Sequence, residues 1–181
     1  MNRIITVLVL CISLLGCATL SLNPYANEDA KIYEWVKTRM KITKNYPRPK
    51  VNRITQKELG QLFKKKLSKK TYKRWVDAVG EKEAAEYLQN IVTEIRGTFV
   101  VEDTTLYIAN DVRTLVYRKG IIAHEYTHYL QQKSLGIVDL DMDPEGIEYF
   151  RREMEGTKIE KEYIKHICPK CDENGVIKEG N

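Results

Sequence analysis

Two histidines four residues apart, with a glutamate directly after the first, are the residues whose types and spacing are suited to chemistry. The segment reads His124-Glu125-Tyr126-Thr127-His128. On a helix, residues four apart share a face, so both imidazoles can bind one Zn²⁺ at about 2.0–2.1 Å. Glu125 is rotated by about 100° from His124, which places its carboxylate beside the ion, where it can take a proton from a zinc-bound water. The pattern therefore predicts one Zn²⁺ per chain, with Glu125 as the general base.

A zinc site of this kind needs a third protein ligand, and the sequence favours a glutamate on the next helix. That helix is expected to begin at residues 143–144, where Asp is followed by Pro. On a helical wheel, Glu153 lies about 60° from the centre of an apolar stripe, whereas Glu148 and Glu155 point to solvent. The stripe consists of Ile147, Phe150, Met154 and Ile164. Glu153 is the predicted ligand and Glu160 the second choice. The alternative for Glu153 is a boundary carboxylate that pairs with Arg or Lys.

The motifs resemble those of the zincin metallopeptidases, and more narrowly the thermolysin-like gluzincin group. The matching residues are His124, Glu125, His128, Leu130-Gln131-Gln132 and Glu153-Met154-Glu155-Gly156. The resemblance implies that Glu153 binds the metal and that the small Gly156 lets the two helices approach each other. The group often places an aspartate directly after the small residue, to hydrogen-bond a ligand histidine, whereas Thr157 stands here. The resemblance covers roughly residues 99–164, about a third of the chain.

The elements expected to position these residues are helices and one hairpin. Apolar residues at helical spacing predict helices over residues 28–40, 55–79 and 81–95. Residues 97–101 and 105–108 predict an antiparallel hairpin, and Gly136 is the expected C-cap of the HExxH helix. The expected fold class is α+β, a mainly helical zincin-like domain with a small antiparallel sheet packed on the HExxH helix. In zincins an edge strand aligns an extended peptide, and Leu106-Tyr107-Ile108 is the candidate.

The N-terminus predicts export and a lipid anchor. Arg3 precedes an apolar run over residues 4–15, and Leu14-Leu15-Gly16-Cys17 resembles the bacterial lipobox. The run is short for a transmembrane helix, so we expect a lipoprotein signal peptide over residues 1–16 and membrane attachment through lipidated Cys17. The alternatives are an ordinary secretory signal and a single membrane anchor. Because Ala18 is not aspartate, the outer membrane is favoured if the host is Gram-negative.

Residues 17–181 are expected to form one domain, because 43% hydrophobic residues in a chain of this length can build one core. Its parts are a helical half over residues 28–95, a catalytic part over 97–165 and a tail over 166–181. The tail contains Cys168-Pro169-Lys170-Cys171. Outside the cytoplasm these two cysteines predict a small disulfide, with a metal knuckle or free thiols as alternatives.

A basic stretch over residues 64–74 contains seven cationic residues among its eleven. Apolar residues continue through it at helical spacing, so a solvated helix face is the expected interpretation. Contact with anionic lipid headgroups or envelope polymers is the alternative. Nucleic acid is not an expected partner, because an exported lipoprotein seldom meets it.

These features favour a zinc metallopeptidase of the bacterial cell envelope that hydrolyses peptide or protein substrates. The alternative is a lipoprotein that binds zinc or a partner without turnover, but such a module has no need of Glu125 beside the metal.

The candidate donors to the oxyanion are Tyr149, Tyr163 and His166. No oligomeric state follows from the sequence.

Overall fold

The computed structural model describes residues 24–111, 113–136 and 147–178. In chain order its elements are α1 (Ala26–Arg39), β1 (Lys50–Ile54), α2 (Gln56–Lys66), α3 (Lys69–Val79), α4 (Glu81–Glu94), β2 (Gly97–Val100), β3 (Thr105–Ala109), α5 (Leu115–Leu135) and α6 (Ile147–Ile167). The structure is 64% helix with one small three-stranded mixed sheet, so the expected α+β fold class is confirmed. The predicted signal peptide and Cys17 lie outside the described residues.

Helix α5, which carries the HExxH segment, lies at the centre of the fold. Thr114 caps its N-terminus by accepting a hydrogen bond of 3.1 Å from the backbone N–H of Tyr117. Gly136 ends it at a φ of +86°, a conformation that glycine adopts without strain, as predicted. The main core surrounds this helix and joins α1, β3, α5 and α6. Its fully buried side chains include Ile32, Val36, Leu106, Tyr126, Tyr129 and Leu130. Since α5 is covered on most sides, its side chains are held rigidly by packing.

The sheet packs on α5 in the strand order β1-β3-β2. Strands β2 and β3 form the predicted antiparallel pair, in which Thr98 lies opposite Tyr107. Strand β1 was not predicted; it pairs in parallel with β3, so that the sheet is mixed. Because β3 is the central strand, the prediction that Leu106-Tyr107-Ile108 is an edge strand is wrong. Among the residues that the structure describes, the edge strands are β1 and β2.

Besides strand β1, the helical half differs from prediction at a second place. A single helix was expected over residues 55–79, but α2 ends at Lys66 and α3 begins at Lys69. The break has a local cause, because Ser68 is extended and its hydroxyl accepts a hydrogen bond of 2.9 Å from the N–H of Thr71. Helices α1 and α4 lie close to the predicted ranges.

Helix α6 buries a different face from the predicted one. Its expected beginning at residues 143–144 lies outside the described residues. The predicted apolar stripe is exposed at Ile147, Phe150 and Met154, by 64%, 64% and 59%. The helix buries Gly156, Ile159 and Tyr163, together with Ile164, the one member of the predicted stripe that is buried. The prediction of the stripe is therefore wrong in the first half of α6, because α6 packs on α5 through its second half.

Among residues 24–111, 113–136 and 147–178, none of the helices has the length and apolar character needed to span a bilayer.

Candidate metal centre

His124 and His128 of α5 face each other at the candidate metal centre. They lie one helical turn apart, and their Nε2 atoms are 2.9 Å from each other. Both side chains are mostly buried, with 14% and 20% of their surface exposed. Two imidazole nitrogens that converge at this distance can bind one metal ion from the same side.

The carboxylate of Glu153, on α6, completes a group of three possible ligands. Its Oε2 lies 3.5 Å from Nε2 of His124, and its Oε1 lies 3.3 Å from Nε2 of His128. Ligand atoms at about 2.0–2.1 Å from a tetrahedral ion are about 3.3–3.4 Å apart, so the carboxylate is at the right distance. Donors of this type suit Zn²⁺ and other first-row divalent ions. The residues that sequence analysis assigned as ligands are therefore brought together.

Each histidine has a partner at its other ring nitrogen. Nδ1 of His124 lies 3.2 Å from Oε2 of Glu160, and Nδ1 of His128 lies 3.0 Å from Oε1 of Gln131. Gln131 is 1% exposed and donates a hydrogen bond of 2.8 Å to Glu155. Because an acceptor at Nδ1 retains the proton there, Nε2 is left with its lone pair for a metal.

This arrangement corrects two expectations from the sequence. Glu155 does not point to solvent, because it accepts the hydrogen bond from Gln131. Glu160, the second choice as ligand, contacts Nδ1 of His124. It occupies the role that the gluzincin resemblance gives to an aspartate at the position of Thr157, which is exposed here. The helical spacing of Glu153 and Glu160 was the signal that both lie on one face of α6.

Burial and hydrogen bonding shift the pKa values of all three candidate ligands. Burial lowers the pKa of His124, but the hydrogen bonds to Glu153 and Glu160 outweigh it and raise the pKa to about 10. Burial also lowers the pKa of His128, and the hydrogen bond to Glu153 again raises it. Burial raises the pKa of Glu153, yet its two imidazole partners hold that pKa far below its usual range. The carboxylates therefore stabilise positive charge at the two imidazoles, and a bound cation would replace the imidazole proton as the partner of Glu153.

Glu125 lies beside the histidines, buried against strand β2. It is 6% exposed, and burial is the main cause that raises the pKa of its carboxyl. Gly97 of β2 lies directly against it, since a Cβ at that position would be 2.7 Å from Oε1 of Glu125. A raised pKa makes a carboxylate, in its ionised form, a stronger base than an exposed one. The edge strand β2, and not β3, therefore borders the carboxylate.

Gly156 sets the distance between α5 and α6 at the site. A Cβ at this position would lie 3.0 Å from both Cε1 and Nε2 of His124. The close approach of the two helices, which the gluzincin resemblance implied, therefore occurs at the ring of a candidate ligand.

The three candidate donors to an oxyanion lie in two different places. Tyr149 is hydrogen-bonded to Glu153, and burial, followed by the charge of Glu153, raises its pKa. The rings of Tyr163 and His166 pack against Trp35 of α1, with centroids 5.0 and 5.6 Å away. Tyr149 is thus the candidate that lies next to the metal ligands.

Cys168 and Cys171 form a disulfide directly after α6.

Comparison of the chain with protein-family models, curated proteins and solved structures gives no match. The inference of function therefore depends on the geometry of the site.

Proposed function

We propose that this chain is a zinc-dependent metallopeptidase in which His124, His128 and Glu153 bind the ion and Glu125 is the general base. The observation that carries the proposal is the convergence of the three ligand groups, within 4.8 Å of one another, beside a buried glutamate. Three protein ligands leave the fourth position of a tetrahedral ion open, which is the arrangement of catalytic zinc sites. We also propose zinc over other first-row ions, because a glutamate base beside two imidazoles and one carboxylate matches the catalytic zinc sites of hydrolases.

Each residue has a distinct part in the proposed reaction. Zn²⁺ held by His124, His128 and Glu153 would act as a Lewis acid, which would polarise a carbonyl oxygen and lower the pKa of water. Glu125 accepts the proton of the attacking water and then donates it to the leaving amine. Glu160 and Gln131 hold the two imidazoles in the tautomer and orientation that binding requires. Tyr149 is the proposed donor to the oxyanion.

The proposed substrate is an extended peptide that binds along the outer edge of β2. Within the part of the chain that the structure describes, β2 pairs with β3 on one side, which leaves its other edge open. An extended peptide can add to such an edge by backbone hydrogen bonds. The closeness of Gly97 to Glu125 supports this proposal, because a peptide on the edge of β2 would run near the proposed base. We propose that the enzyme acts in the bacterial cell envelope, attached through lipidated Cys17.

The test combines metal analysis with cleavage of a library of extended peptides. Wild-type protein is expected to contain one Zn²⁺ and to cleave members of the library. Glu125→Gln keeps the shape of the side chain but cannot accept the proton, so turnover should fall by about 10²–10⁴-fold while zinc content is unchanged. Glu86→Gln, at an exposed glutamate of α4, is the matched control and should retain full activity.

The other outcomes separate the parts of the proposal. Equal turnover by wild type and Glu125→Gln would show that Glu125 is not the base. Zinc bound by a protein that cleaves no peptide would favour the zinc-binding lipoprotein without turnover. Failure of the wild type to bind zinc would refute the proposed metal centre.

A further inference from the structure

Helix α3 is amphipathic, but it buries none of its residues. Its apolar side carries Tyr72, Trp75, Val76 and Val79. The helix packs against α4, where the ring of Trp75 lies between those of Tyr72 and Tyr87, with centroid distances of 6.4 and 5.1 Å. Since amphipathic helices normally cover their apolar side, α3 retains apolar surface that a further partner can cover.

An open groove of about 840 Å³ runs between α3 and α4. Its apolar lining consists of Leu67, Tyr72, Val76, Ala85, Leu88 and Val92. Lys64, Lys69 and Lys73 lie along the α2–α3 side, together with Asp77. The groove thus combines an apolar floor with a cationic border.

The border has a net positive charge, because it carries three lysines and one aspartate. It belongs to the segment 64–74, which has seven cationic residues and no acidic one. Lys73 is paired with Asp77 at 2.7 Å, and Lys66 with Glu102 at 3.5 Å, and both pairs are exposed, so they hold their charges only weakly. A partner that fits this surface would present negatively charged groups next to apolar ones.

We propose that the groove between α3 and α4, with its lysine border, is a docking surface for a lipid bilayer that contains anionic headgroups. Acyl chains match the apolar floor, and anionic headgroups match the lysines beside it. Nucleic acid fits less well, because stacking of bases needs open aromatic faces, whereas Trp75 is packed edge-to-face between two tyrosines. This surface is separate from the metal ligands, so the proposal does not depend on the proposed peptidase activity.

The test measures co-sedimentation of the mature chain, residues 17–181 with Cys17→Ser, with lipid vesicles. The substitution removes the predicted anchor, so that only the protein surface can bind. One set of vesicles contains phosphatidylcholine alone, and the other contains phosphatidylglycerol as about a third of its lipid. We expect binding to the anionic vesicles, weak binding to the neutral ones, and loss of binding at high salt, because the attraction of the lysines is screened.

Two pairs of substitutions test whether this groove is responsible. Lys69→Gln combined with Lys73→Gln should weaken binding about 30-fold, because each lysine near an anionic surface contributes a factor of about five. The matched control is Lys158→Gln with Lys165→Gln, which removes two exposed lysines of α6 and should change binding by less than about twofold. Val76→Asn, which places an amide on the groove floor, should also weaken binding. Circular dichroism and zinc content verify that each variant is folded.

The proposal is overturned if the wild-type chain does not bind anionic vesicles, or if the control pair loses as much affinity as the groove pair. Stronger binding to double-stranded DNA than to the vesicles, with the same dependence on Lys69 and Lys73, would overturn it in favour of a nucleic-acid surface. None of these three results would affect the proposed metal centre, whose zinc content and peptide cleavage are measured independently.

Discussion

Replacement of Gly156 by alanine is expected to weaken zinc binding without unfolding the protein. The new Cβ would lie 3.0 Å from Cε1 and Nε2 of His124, whereas ordinary van der Waals contact begins at 3.4 Å. The imidazole must therefore retreat by about 0.4 Å, which is twice the roughly 0.2 Å tolerance of a metal–ligand distance. It cannot turn freely to relieve the contact, because its Nδ1 is held by Glu160 at 3.2 Å.

The expected loss is about 10- to 100-fold in zinc affinity, the scale for disturbing the groups that orient a ligand. Competition titration against a chromophoric chelator measures it, and thermal unfolding monitors the fold. Since alanine is a better helix former than glycine by about 1 kcal/mol, a weaker helix would not explain a loss of affinity. Gly136→Ala is the control: its Cβ meets nothing within 4 Å, but its φ of +86° strains alanine. It should cost about 1–2 kcal/mol of stability and leave affinity unchanged.

Two results would refute this reasoning. One is a folded Gly156→Ala protein that binds zinc as tightly as the wild type, which would mean that the ring of His124 is not a ligand at this position. The other is an equal loss of affinity in Gly136→Ala, which would attribute the effect to general loss of stability.

Three further predictions concern the ligands, the core and the anchor. Glu153→Ala should lower zinc affinity by more than about 100-fold and Glu160→Ala by about 10- to 100-fold; the reverse order would make Glu160 the ligand. Asp29→Ala leaves the guanidinium of Arg53 without the mostly buried carboxylate that lies 2.6 Å away. The free energy of unfolding should fall by about 3 kcal/mol, and an unchanged thermal midpoint would contradict this. Cys17→Ser should release the protein from the membrane fraction of cells; unchanged partition and an unchanged mass would reject lipidation.

The ligand group could be predicted from the sequence because its spacing has a direct geometric meaning. His124 and His128 must share a face of any helix that contains them, and the gluzincin motif indicated Glu153. The wheel argument for Glu153 used an apolar stripe that is exposed in the structure, at Phe150 and Met154. The assignment therefore stands on the motif and on the observed distances, and not on the stripe.

Other features depend on tertiary contacts that the sequence pattern does not carry. Strand β1 is only five residues long and has two adjacent polar residues, Asn52 and Arg53, so it lacks a clear alternation and is defined by its pairing with β3. The contact of Gln131 with Glu155 joins two helices whose mutual rotation is not encoded in either one alone. The break between α2 and α3 had a local signal in Ser68, a residue type that favours N-caps, but apolar spacing that continued through it predicted one helix.

Glu153 and Glu160 of α6 both contact His124 of α5. The point where the two helices cross determines which ring nitrogen each carboxylate contacts. Glu160 follows Glu153 by two helical turns, so both lie on one face of α6, about 10 Å apart along its axis. Glu153 meets Nε2 of His124 and Glu160 meets Nδ1. The imidazole can lie between them because Gly156, near the midpoint of the interval, leaves room for the ring. A larger residue at 156 would move the point where the two helices cross. One of the two glutamates would then lose its contact with the imidazole nitrogen of His124. We therefore expect Glu153 and Glu160 to reach the two nitrogens of His124 together only while residue 156 is a glycine.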